Sequence, residues 1–410
     1  MSAPVPPPAL PLASQDGRLV VSDFVWTVAW RDHRLDAACT DVQAGLLGAA
    51  RLVLAETRDA GQHARRGYAS AVLGSLAART DVAEQWLREE PKDPDALLLA
   101  ARVAAVHAAA AYRKRHARAR KLLDQTLDLA GRCALARPED PTPYVITLSL
   151  ARFECQQVPP SDALPELGGL PGPWGLVEQE IWPRDPHNRE TARHLLTYFG
   201  TSRTAAAPTQ VALSLAARSP LASPLRLLPL AAFLEYPLTG EEAEAADLDR
   251  YERINGLRKL VAGLDERLKT GGGIDGYTAD FDLQERRKRL MRSIEAMTQE
   301  AEAAPRVPRR AMVGELTDLH ALWFVHRSGP EEYVPIADVS LLARGLQLGG
   351  EYSRAGGVLR HLLPLATAYP WKLDGDPATV LAAAIAECSA ESHLPVTSPT
   401  TLRAGPSAEP

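Results

Sequence analysis

Long β-branched runs are missing from this chain of 410 residues, and aromatic residues supply only 6% of it, while Ala and Leu are abundant. That balance excludes a sheet-dominated fold and favours helix. Cysteine is scarce as well. Cys39, Cys133, Cys155 and Cys388 stand far apart, so no Cys-x-x-Cys pair exists for zinc or redox chemistry, and buried free thiols in a reducing cytoplasm are the expectation. An excess of positive charge is also lacking. The formal net charge is −5, which gives no global reason to expect nucleic acid. No stretch of about 18 apolar residues runs free of charge and proline, so no membrane span is expected. Residues 221–238 come nearest, and Pro224, Arg226, Pro229, Glu235 and Pro237 interrupt them. Met1 to Leu12 has neither a basic start nor an apolar core, so a signal peptide is not expected.

Familiar catalytic signatures are absent too. There is no Gly-x-Ser-x-Gly elbow and no His-Glu-x-x-His. The run Gly271-Gly272-Gly273 lacks the Gly-Lys-Ser/Thr ending of a phosphate loop, and Gly168-Gly169 has the same defect. His187 and His194 are seven residues apart, whereas metal ligands on a helix sit three or four apart. His320 and His326, six apart, fall on opposite helix faces. The sequence therefore assigns no catalytic residue, no cofactor and no metal site.

What is present is a recurring helix start. Asp93-Pro94, Asp140-Pro141 and Asp185-Pro186 begin 47 and then 45 residues apart, each followed by an apolar run. Asp accepts a hydrogen bond from a free amide at a helix start, and Pro is tolerated at the first helical position because its missing N–H has no partner there. A fourth pair, Asp376-Pro377, opens a last helix. If each Asp is only a cap, Asp140→Ala costs about 0.5–2 kcal/mol.

In chain order, residues 1–18 carry five prolines and read as a disordered tail. The apolar segment Asp23 to Trp30 reads as a first helix, since no β-partner is in sight. One long helix is expected from about Asp36 to Arg58, with Val42, Leu46, Ala49, Ala50 and Val53 on one stripe. Gly61 ends it, and Gln62 to Ala78 forms the next. Asp81-Val82-Ala83-Glu84 reads as a capping box before Trp86 and Leu87. Helix pairs then follow from Asp93, Asp140 and Asp185, up to a helix over Leu225 to Glu235. The N-terminal repeats occupy 19–238 and the C-terminal ones 311–390. In the latter, helices are expected at 313–325, 336–347, 353–368 and 376–389. A tail at 391–410, rich in Ser, Thr and Pro, closes the chain.

The Asp-Pro starts and helix pairs resemble tetratricopeptide-like repeats. A second trace is Gly350, Tyr352 and Ala355, similar to the family's Gly-x-Tyr-x-x-Ala join between paired helices. The period near 46 is longer than the family's usual 34. The Ala/Arg-rich composition resembles uncharacterised tetratricopeptide-like proteins of high-GC bacteria. The resemblance covers about 90–235 and 312–390. It implies an all-α fold of stacked helical hairpins, an α-solenoid, and protein or peptide binding; it supplies no catalytic residue.

Residues 239–304 differ in kind. Ile254, Leu257, Val261, Leu264 and Leu268 keep a heptad seam. The Gly271-Gly272-Gly273 turn follows, and Leu283, Leu290, Ile294, Met297 and Ala301 repeat the seam. This reads as an antiparallel coiled-coil hairpin. Two ordinary amphipathic helices lying flat against the repeats are the alternative.

The functional expectation is a non-catalytic, cytoplasmic scaffold that binds a protein or peptide, with the hairpin as a second contact. First helices of stacked pairs usually face inward, so the partner-binding candidates are Arg102, His107, Tyr144, Arg152, Asn188 and Arg193. Three are arginines, which take carboxylates in bidentate fashion, so an acidic partner is favoured. The alternative is a nucleic-acid-linked regulator using the basic runs Arg113 to Lys121 and Arg286 to Arg289, although no aromatic beyond Tyr112 interleaves the first. An enzyme with no visible motif is the third reading.

Overall fold

A computed structural model of the chain describes residues 24–154, 171–200, 206–236, 310–325 and 333–391, together with 261, 264, 265, 284 and 286–292. The expected tails, Cys155 and most of the 239–304 insertion lie outside the described residues. Sixteen α-helices are present among the described residues.

The N-terminal helices are α1 (His33–Gln43), α2 (Gly48–Asp59), α3 (His63–Ala77), α4 (Val82–Glu89), α5 (Pro94–Arg113) and α6 (Ala119–Ala136). Next come α7 (Thr142–Ser149), α8 (Ala151–Glu154), α9 (Trp174–Leu176, continued by a π turn over Val177–Ile181), α10 (Arg189–Gly200), α11 (Ala206–Arg218) and α12 (Leu228–Glu235). The C-terminal set is α13 (Arg310–His320, continued by a π turn over Ala321–Val325), α14 (Ile336–Leu348), α15 (Tyr352–Leu362) and α16 (Pro377–Glu391).

The Asp-Pro starts hold at three of four places. Oδ1 of Asp93 accepts the amides of Asp95 and Ala96, each at 2.8 Å. Oδ2 of Asp376 accepts from the Thr379 amide at 2.9 Å and its hydroxyl at 2.8 Å. Oδ1 of Asp140 accepts the Thr142 amide at 2.8 Å, where α7 begins. At Asp185 no helix begins; α10 starts at Arg189. Its cap is Asn188, whose Oδ1 accepts the Thr191 amide at 2.8 Å, while Asp185 accepts from the Asn188 side chain at 2.9 Å.

Local chemistry explains the other departures. The expected single helix over 36–58 breaks between α1 and α2, where Gly45 takes φ +80°, a conformation only glycine adopts freely. Asp81 precedes α4 but makes no side-chain cap, so the expected capping box is not formed. The helix expected over 353–368 stops at Leu362, because Pro364 forces Leu363 into extended backbone. The chain beyond Pro364 forms β2 (Leu365–Ala366), which pairs in parallel with β1 (Val25–Trp26). The segment expected as a first helix is thus a strand. Its partner lies at the far end of the chain, beyond the reach of any local pattern.

Helices also touch in series beyond their immediate neighbours: α3 on α5, α5 on α7, α7 on α10. Helix α10 then returns to α3, so these four close a ring. Small residues permit the approach. A Cβ on Gly74 of α3 would lie 2.4 Å from the Cβ of Arg102 on α5. Helices α1 to α4 share a core around Leu35, Val53, Leu54, Leu73 and Trp86. A larger core runs from Phe24 through α7 and α10 to α16, with Trp174, Phe199 and Trp371 fully buried in it. Gly350 takes φ +78° in the turn between α14 and α15, and Ala355 is wholly buried, so that trace does mark a helix pair's join. Cys39, Cys133 and Cys388 are free and buried, as expected, and burial pushes their thiols up to about 11, about 12 and about 11. Helix α5 is long and apolar enough to cross a membrane, but 61% of its apolar window is buried against the neighbouring helices, so its hydrophobicity is spent on the core.

Candidate functional site

The six residues expected on an inward, solvent-facing surface fall in different places. Helices α3, α5, α7 and α10 contact one another, so some of their inward positions meet across the helices. Arg102 is 6% exposed. Its guanidinium donates to Ser70 Oγ at 3.1 Å, to the Gly67 carbonyl at 3.2 Å and, bidentately, to Glu190 of α10. Asn188 is buried as the α10 cap. The expectation that these two face solvent is therefore corrected. Arg193 is half-buried. It pairs with Glu235 and lies 5.1 Å over the Tyr369 ring.

These contacts belong to a chain of interior charges that tie distant helices together. Arg66 of α3 is 1% exposed and donates to Asp140 at 2.6 Å, Asp95 at 2.7 Å and the Leu54 carbonyl at 2.8 Å. Arg189 of α10 reaches Asp338 of α14, 2.5 Å from Nη2 to Oδ1. Burial works to raise the Glu190 carboxyl, but Arg102 and His194 hold it down at about 2. Burial works to raise Asp140 too, but the Arg66 charge together with the hydrogen bonds from Thr142 and Arg66 holds it below the usual carboxylate range. At Asp95 burial wins and the carboxyl is raised. Such a network specifies which helix meets which.

His107, Tyr144 and Arg152 lie nearer the surface. His107 is exposed, with Nε2 3.0 Å from the Ala78 carbonyl. Tyr144 is half-buried beneath the Arg184 guanidinium, 4.7 Å from the ring centre. Arg152 is half-buried, 4.8 Å over the Phe153 ring, and makes no ion pair among the described residues.

A different concavity lies where residues 29–32 meet α3 and residues 333–334. A cavity of about 340 Å³ is lined by Trp30, Arg31, Asp32, Arg65 and Tyr333. Trp30 has φ +43°, unusual for a bulky residue, and backbone of that kind collects at functional sites. The Arg31 guanidinium lies 4.8 Å over the indole. Asp32 caps α1 through the Leu35 amide and takes both Nε and Nη2 of Arg65, at 2.7 and 2.8 Å. Tyr333 packs on Tyr68 with ring centres 5.7 Å apart, and burial pushes its hydroxyl well up. Upstream of this cavity, β1 uses the amides of Val25 and Thr27 to bond Pro364 and Ala366, at 2.8 and 2.9 Å. The amide and carbonyl of Trp26 therefore point to the opposite edge. Val25, Trp26 and Val28 are 53%, 44% and 41% exposed.

Comparison of the chain with family models, with curated proteins and with solved structures gives no match in any of the three. Sequence reasoning missed the seam cavity entirely. The aromatic spacing of Phe24, Trp26 and Trp30 was visible, but its partners Tyr333 and Ala366 are some 300 residues away.

Proposed function

We propose that the chain is a non-catalytic helical-repeat scaffold, a tightly wound tetratricopeptide-like stack, which binds a protein or peptide in the cytoplasm. The observation that carries this reading is the seam: an aromatic cavity of about 340 Å³ continuous in sequence with a strand whose outer edge is open and apolar. An extended peptide fits such a place, adding a strand to β1 through main-chain hydrogen bonds and placing an apolar side chain against Trp30 and Tyr333. The coiled-coil hairpin over 239–304 serves as a second contact. Val261 and Leu264 of its seam are each 7% exposed, and Arg287 donates to Asp265 at 2.5 Å, which supports two arms lying together.

The test is a selection of random displayed peptides on the immobilised full chain, followed by titration of the enriched sequences. Binding should fall at least about tenfold in Trp30→Ala, the loss of roughly 1.4 kcal/mol, with the melting temperature unchanged. Enriched peptides that bind Trp30→Ala and Tyr333→Ala as well as the native chain overturn the seam reading.

A further inference from the structure

A second surface stands apart from the seam. At the end of α5 the chain turns through Lys114 to Arg118 and enters α6, with Arg115 in the left-handed region at φ +50°. Arg113, Lys114, Arg115, Arg118 and Lys121 are exposed there. Arg152 on α8 adds a sixth cation, brought alongside by the stacking of Tyr112 on Phe153 at 4.3 Å and interacting with Arg113.

None of these six makes an ion pair among the described residues. Arginines deeper in the molecule, Arg51, Arg58, Arg65, Arg66, Arg102, Arg189, Arg193 and Arg344, all hold carboxylates. Placement works against local stability as well. Arg118 and Lys121 sit at the start of α6, where the helix dipole favours negative charge. Burial, and then Arg113, push Arg152's proton affinity down, and its buried Nε has no hydrogen-bond partner. A surface on which six such cations gather, on a chain of net charge −5, is complementary to a compact anion.

We propose that this corner docks an acidic peptide segment of a partner protein, with Arg113, Arg118 and Arg152 taking its carboxylates. Guanidinium groups suit carboxylates through paired, charge-assisted hydrogen bonds. Nucleic acid fits less well for a geometric reason. Base stacking needs an open aromatic face, and Phe153 already carries the Tyr112 ring and the Arg152 guanidinium. The seam reading does not enter this argument, and the residues of the two places are different, so each can fail alone.

The experiment is fluorescence anisotropy on the full chain with two labelled probes, a twelve-residue peptide of alternating Glu and Ser and a single-stranded oligonucleotide of equal charge. Two charge-matched variants are compared, Arg113→Glu/Arg118→Glu at the corner and Arg360→Glu/Lys372→Glu elsewhere. All four positions are exposed, and melting temperatures establish that both variants fold. The peptide should bind the native chain, bind about tenfold more weakly to the corner variant, and change little with the distant one. Arg152→Gln should weaken binding in the same direction. The proposal is overturned if the peptide does not bind, if both double variants lose affinity equally, or if the oligonucleotide binds more tightly than the peptide.

Discussion

Replacing Arg66 with Met should be among the most damaging single changes the chain can suffer. The guanidinium is 1% exposed as a residue and answers three acceptors on three elements: Asp140 before α7, Asp95 on α5 and the Leu54 carbonyl on α2. After the change Asp95 keeps Arg58 Nη1 at 2.6 Å, but Asp140 keeps only the Thr142 amide. One buried carboxylate is then left without a counter-charge, which typically costs about 3–5 kcal/mol. The Leu54 carbonyl also loses a partner, roughly 1 kcal/mol more. Urea unfolding followed by circular dichroism at pH 7 measures the sum. The pH dependence separates this cause from simple loss of packing. In the native chain Asp140 is held below its unfolded value of about 3.9, so its contribution is present above that pH and lost as pH falls through the folded value. In the variant the same carboxyl is buried without its cation and titrates above the unfolded value. Its penalty is therefore full at high pH and relieved as pH falls. The stability gap between the two proteins should narrow from pH 7 towards pH 4. The double variant Arg66→Met/Asp140→Leu, with both charges gone, should be more stable than Arg66→Met alone. A cost under about 1 kcal/mol for the single variant, or a gap constant with pH, refutes the reasoning.

Four further outcomes follow from the same geometry. Asp140→Ala should cost more than the roughly 0.5–2 kcal/mol of a lost cap, because buried Arg66 Nε also loses its acceptor, although Asp95 still balances its charge; Asp140→Asn, which keeps an acceptor for Thr142, should cost less than Asp140→Ala. Glu190→Gln should destabilise the chain near neutral pH, and the loss should vanish only at strongly acidic pH, because Glu190 is held at about 2 and its contribution lasts until pH falls through that value. Gly345→Ala should cost about 1–3 kcal/mol, since its Cβ would meet Leu230 Cδ2 at 2.3 Å and Leu316 Cδ1 at 2.7 Å. Gly131→Ala, in the middle of α6 with open space around it, should instead raise stability by about 0.5–1 kcal/mol; thermal melts of the last two check both signs.

Local grammar was legible in the sequence and long-range closure was not. Asp93 and Asp376 announce their helices because a cap acts over three residues, and the turn at Gly350 is visible for the same reason. Asp185 misled because an Asp-Pro turn and an Asp-Pro cap look alike until the residue that takes the amides, Asn188, is known. Inward-facing arginines were picked out from periodicity, yet periodicity gives the face and not what lies across it. Arg102 meets Glu190 88 residues later, and Arg189 meets Asp338 149 residues later. The basic run at 113–121 was plain to see. That Arg152 joins it depends on how α5 and α8 come together.

The pairing of β1 with β2 has a bearing on how such a chain can grow. An open stack lengthens by duplicating a unit at either end, since a new unit needs only the last one to rest on. Here the strand at Val25–Trp26 is tied to the one at Leu365–Ala366, and α10 rests on α3. A helix inserted among these would have to part contacts that already exist.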